Sequence, residues 1–263
     1  MASFHSRSNS FPSQSHPAMN DVEDRLERLK ASQATSTSSI CANLASLRDL
    51  HDGINNMIQM PSIQQALCLE QGRNWINELL DGSLKLVDLC GFSRDVVQLT
   101  KESVQDLESS IRRNSEDINA YVASRKMITK MINKFIKNLK SSSNHNSTPL
   151  PTIGTMLKEA ESIELSILKS VLTLLSGENN KKSWSLISKL FTQSSSRVHS
   201  EVTYDEDLCS LNIHKSRKSI ENKTILKQLK TSEMTVHEIE ESLEGLFRSL
   251  VKTRVSLLNV LSH

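Results

Sequence analysis

From Ile225 onward the chain keeps one rhythm: Leu229, Val236, Leu243, Leu250 and Leu257 recur every seven residues, with Ile225, Ile239, Leu246 and Val260 on the neighbouring seam. Apolar residues at that period share one side of an α-helix, whereas a half-buried strand needs them at every second position. A helix from about Ser219 to Ser262 would be ~65 Å long, so a bundle built on it must be elongated. Two seam positions, Ser232 and Thr253, are polar, and Phe247, Val251, Leu258 and Leu261 widen the stripe beyond a two-stranded coiled-coil seam. The heptads therefore read as a helix inside its own chain's bundle rather than as a coiled-coil dimer, and a monomer is favoured.

The rest of the chain follows a similar period. From Asn20, read as an N-cap, Val22, Leu26 and Leu29 predict a short helix. Ile40, Leu44, Leu47, His51, Ile54 and Ile58 form one stripe of a second, which Pro61 ends. After Pro61, the residues Ile63, Leu67, Trp75, Leu79, Leu84 and Val87 keep helical spacing, with kinks available at Gly72 and Gly82 and a stop at Gly91. Val97, Val104, Leu107, Ile111, Ile118, Ile128, Ile132 and Leu139 carry the period on to Lys140, with a break near Asn114 and Ser115. Ile153, Leu157, Ala160, Ile163, Ile167, Val171 and Leu174 predict a helix that stops at Gly177, and Ser183 to Phe191 a short amphipathic one anchored by Trp184. Five prolines, seven glycines and 4% aromatic residues leave little for turns and strands. The fold class is all-α, an elongated helical bundle with a long heptad-patterned C-terminal helix.

Residues 1 to 18 combine serine, proline and histidine without apolar periodicity, too little apolar surface to offset the entropy of ordering. They are expected to be a disordered serine-rich tail ahead of one bundle domain, residues 19 to 263. Within that domain, Ser141 to Pro151 reads as a loop, and the polar stretch from about Gln193 to Lys218 as a flexible connection.

Several function classes are disfavoured. No phosphate-binding glycine loop, H-E-x-x-H or G-x-S-x-G pattern occurs, so neither an enzyme nor a cofactor is expected. Cys41, Cys68, Cys90 and Cys209 lie far apart with no histidine at ligand spacing, which points to reduced buried thiols rather than a metal site. His51 reads as a core-edge histidine with a satisfied hydrogen bond rather than a ligand. The 32 basic and 30 acidic residues sum to +2, giving no global field for nucleic acid. No secretory signal is evident, and the longest apolar stretch, Leu165 to Leu175, is broken by Lys169 and too short to span a bilayer. A cytoplasmic location is expected, with the chloroplast as the alternative because the acid-free, serine-rich start also looks like a transit peptide.

Two features point to partners. In RSNSFP, Arg7 stands three residues before Ser10, and Pro12 two after it. With Ser8 this is the Arg-Ser-x-Ser-x-Pro pattern that 14-3-3 proteins bind once the second serine is phosphorylated and gripped by arginines. The second is the segment Tyr121 to Lys140, where Arg125, Lys126, Lys130, Lys134 and Lys137 follow helical spacing and no acid lies between Asp117 and Glu159. A basic amphipathic helix suits calmodulin or a membrane surface, and the plainer reading is a core helix with a solvated lysine face.

The segments RSNSFPSQSHP, PSIQQAL followed by Trp75 and ELLDGSLKLVDLC, the SRK of the basic helix, SWSLISKL and LEGLFRSLVKTRVSLLNVLS carry a resemblance over nearly the whole chain. They resemble a plant-specific family of helical proteins related to the BYPASS-type root and shoot development proteins. The resemblance implies a helical plant protein associated with organ development, without enzymatic activity or catalytic residues to carry over. The function expected is a non-enzymatic regulatory or scaffold protein with a phosphoserine-dependent 14-3-3 site. The alternative is a peripheral membrane or calmodulin-binding protein acting through residues 121 to 140.

Overall fold

The computed structural model describes residues 17–32, 37–69, 74–113, 119–141, 152–176 and 218–262, and among them all regular structure is α-helical. Seven helices follow in order: α1 (Pro17–Ala31), α2 (Thr37–Ile58), α3 (Pro61–Leu69), α4 (Asn74–Arg112), α5 (Asn119–Ser141), α6 (Thr152–Ser176) and α7 (Lys218–Leu261). Residues 1 to 16 of the expected 18-residue tail fall outside the described residues, as do the loop residues 142–151, the short amphipathic segment and the polar stretch up to residue 217. Two prolines open helices. Pro17 begins α1, inside the expected tail and ahead of Asn20, and Pro61 begins α3 rather than only ending α2. A first-turn proline lacks an N–H that the helix would leave unpaired anyway, and its fixed φ suits the entry.

The two longest helices, α4 and α7, form the antiparallel spine. Arg94 meets Glu244, Lys101 Nζ lies 2.6 Å from Glu240 Oε2, and Gln105 Nε2 donates to Glu233 Oε1 at 2.9 Å, so numbering rises along one helix as it falls along the other. The Lys101 hydrogen bond draws the Glu240 carboxyl below its ordinary range, a contribution present above its unfolded pKa and lost as pH falls through the folded one. The heptad residues Leu229, Val236, Leu243, Leu250 and Leu257 are all buried by the chain's own helices. Here α2 runs alongside α7, α6 packs on α4, α2 and α1, and α5 covers α4 and α6 at the edge.

The expected stop at Gly91 is overturned, because α4 continues unbroken through Gly82 and Gly91 to Arg112. Both glycines serve approach instead. A Cβ at Gly82 would stand 2.5 Å from the Glu161 carboxylate of α6, and one at Gly91 3.7 Å from the Phe247 ring of α7. Leaving out a side chain at Gly82 lets α6 lay a carboxyl over the α4 backbone. At the other end of α6 the expected stop, Gly177, lies outside the described residues. Arg125 Nη2 of α5 donates to the Leu175 carbonyl at 2.5 Å and Thr129 Oγ1 donates to the Ser176 carbonyl at 3.3 Å, so a neighbouring helix satisfies the last turn.

Candidate interaction surface

The basic helix α5 separates into two roles. Ile128 and Ile132 are fully buried, and Phe135 stacks on Phe92 of α4 with ring centroids 4.0 Å apart and planes 3° from parallel. Lys126, Lys130, Lys134 and Lys137 all face outward, and none has an ion pair or hydrogen bond among the described residues. Arg125, grouped with them by spacing, is a correction: it is buried beneath the helix, between the Leu175 carbonyl and Thr100 Oγ1. Burial pushes its pKa down, opposed in part by neighbouring Tyr121, whose own hydroxyl burial pushes up. The outer surface of α5 is therefore a row of four lysines over ~16 Å, with Met127 half exposed beside them. Arg7, Ser8, Ser10 and Pro12 lie outside the described residues.

A buried polar cluster joins α2, α6 and α7. His51 Nε2 approaches Glu164 Oε1 to 2.9 Å while His51 Nδ1 lies 3.0 Å from Thr253 Oγ1. The Thr253 hydroxyl donates to the Ser249 carbonyl at 3.0 Å and accepts from Asn55 Nδ2 at 2.9 Å. A hydroxyl has one proton to give, so it must accept from His51 as well, and Nδ1 carries a hydrogen. Asn55 Oδ1 accepts from Ser256 Oγ at 3.1 Å, which closes the cluster. His51 is 4% and Glu164 1% exposed, and Glu164 Oε2 has no hydrogen-bond partner among the described residues.

The expected hydrogen bond of His51 is made by Nδ1 to Thr253, whereas Nε2 has only the close approach of Glu164, which sequence reasoning missed. A signal existed, since Glu164 stands four residues after Ala160 and seven after Leu157 on the apolar stripe of α6. Chemically the carboxylate–imidazole–hydroxyl order resembles a nucleophilic triad, but Thr253 is 5% exposed and its hydroxyl is saturated, so no substrate reaches it. Nearby, Cys90 is buried and its thiol is pushed up to about 12 mainly by desolvation, which makes it inert. An open groove between α1 and α6 carries Glu23, Glu27 and Glu159, with Lys30 Nζ 2.6 Å from carboxylates of both Glu27 and Glu159.

No group of metal-ligating side chains occurs among the described residues, and no described helix is long and apolar enough to cross a membrane. These features define an all-α bundle protein whose buried ionisable groups tie its own helices together. The family model described as Protein BPS1 matches residues 43–260, and the chain belongs to that family. The match begins within α2 and takes in the later helices, so the resemblance to BYPASS-type proteins holds from α2 onward, with α1 and the N-terminal segment outside it. Neither a curated protein nor a solved structure gives a significant match.

Proposed function

We propose that the protein is a non-enzymatic scaffold linked to root and shoot development, whose N-terminal segment is read by a 14-3-3 protein after phosphorylation of Ser10. The observation that carries the scaffold reading is the His51–Glu164–Thr253 cluster: its polar groups are turned onto one another, bridging three helices, and not onto a cavity. Arg7 suits a basophilic kinase, and phosphate on Ser10 would gain charge-assisted hydrogen bonds from an arginine cluster, with Pro12 turning the chain away. Calorimetric titration of a phosphopeptide covering residues 3 to 16 should show saturable binding to 14-3-3 protein and none for the unmodified peptide. Equal, negligible heats for both peptides would remove this partner.

A second reading is favoured by the four unpaired lysines of α5. Charge presented without an insertable apolar face suits adsorption to an anionic surface, not deep embedding. Phe135, packed on Phe92, would have to leave the bundle for calmodulin to wrap the helix. Sedimentation with anionic vesicles should show weak binding that disappears at high salt and in the Lys130→Glu/Lys134→Glu variant. Tight calmodulin binding abolished by Phe135→Ala would mean instead that α5 detaches, and would replace the surface reading.

A further inference from the structure

Along the outer side of the α4–α7 spine runs an apolar stripe that the bundle does not use. On α7, Phe247, Val251, Val255 and Leu258 share a flank, with Val251 36%, Val255 48% and Leu258 41% exposed. On α4, Leu84 is 43% exposed and shares its flank with half-buried Val87 and with Gly91. Gly91 lies against the Phe247 ring, which joins the two flanks into one face, and Arg254 crosses the seam with its guanidinium 2.7 Å from Ser83 Oγ. Of the residues that widen the heptad stripe, Leu261 is taken into the core and Phe247 packs against it, while Val251 and Leu258 stay exposed.

The rims of this face carry opposite charges. Beyond the apolar flank of α4 stand Asp81, Asp88 and Asp95, seven residues apart, all exposed and without ion pairs among the described residues. Beyond the flank of α7 stand Arg248, 76% exposed and 3.1 Å from Glu244 Oε1 of its own helix, and Lys252, which lacks an ion pair among the described residues. With Arg248 paired to Glu244 and Glu241 paired to His237, the unpaired charges left to complement each other are the aspartate row of α4 and Lys252 of α7. We propose that two copies of this chain dock face to face here, about a two-fold axis running along the α4–α7 seam. That axis lays α4 of each copy over α7 of the other, whereas an axis across the helices would put acid on acid. The register that sets Arg94 against Glu244 and Gly91 against Phe247 places Asp88 level with Leu250. In the dimer Asp88 therefore faces the gap between Arg248 and Lys252 of the second copy. A face ~20 Å long and two helices, or ~20 Å, wide lies at the small end of specific interfaces, so association is concentration-dependent.

The test is sedimentation velocity on the full chain over a dilution series, with Asp88→Lys, Lys252→Asp and the double variant. The mass of two chains should appear at high concentration and fall to that of one on dilution. Each single reversal should raise the dissociation constant about ten-fold or more, because each acts twice across the axis, and the double should regain most of the loss. Both positions, Asp88 and Lys252, are exposed, so circular dichroism and melting temperature should stay as in the parent. A single-chain mass at every concentration overturns the proposal. So does a dimer indifferent to Asp88→Lys, or one that the double variant fails to restore.

Discussion

Replacing His51 by leucine should cost about 3–5 kcal/mol of unfolding free energy, because it strands a buried carboxyl that has no other partner. The same change removes a donor from Thr253, leaving that hydroxyl to Asn55 and the Ser249 carbonyl. Glu164→Leu should cost less, about 1–3 kcal/mol, since a neutral imidazole with one unpaired nitrogen is easier to bury than a lone carboxylate. The double variant His51→Leu/Glu164→Leu should recover most of the loss, as apolar replacements of buried pairs often do. Urea unfolding followed by circular dichroism measures all three. Additive losses in the double variant would show that the two side chains do not act as a pair.

Arg125→Ala should cost about 3 kcal/mol, whereas alanine at Lys126, Lys130, Lys134 or Lys137 should change stability by no more than about 0.5 kcal/mol. All five residues look alike in sequence. Arg125, however, donates to the Leu175 carbonyl in the last turn of α6 and lies 3.4 Å from Thr100 Oγ1, so its loss weakens that helix end and empties a buried site. Arg125→Lys should rescue little, since a single ammonium cannot reach both acceptors as a planar fork does. Chemical denaturation of the five variants decides it, and an Arg125→Ala variant as mild as the lysine series would return Arg125 to the surface group.

The helices were legible because their apolar residues recur at one period over long runs. For α6 and α7 the expected limits fall within two residues of those observed. The errors came where a local signal met a tertiary contact. Gly91 reads as a stop, yet an adjacent Phe247 makes it a place of approach inside a 39-residue helix. Arg125 belongs by spacing to a basic row, and only the position of α6 shows which of five cations points inward. Glu164 was hidden for the same reason: a carboxyl on an apolar stripe gains meaning only when His51, more than a hundred residues earlier, is placed against it. The exposed stripe beside the spine was half legible, since the sequence showed the α7 heptads to be too wide. Which flank stayed uncovered depended on α4.

The position of α7 also bears on how the chain is made. The helix that buries α2 and α4 is synthesised well after them, and its contacts reach back as far as His51 from Thr253, 202 residues apart. At ~5–20 residues per second, roughly 10–30 s separate completion of α4 from completion of α7 on the ribosome. During that interval Leu44, Leu47, Leu89 and Val97 lack their final cover, so the nascent chain needs shelter from aggregation until its last turns emerge. A stop before Thr253 would keep most of α7 but remove the hydroxyl that His51 and Asn55 share, together with buried Leu257 and Val260.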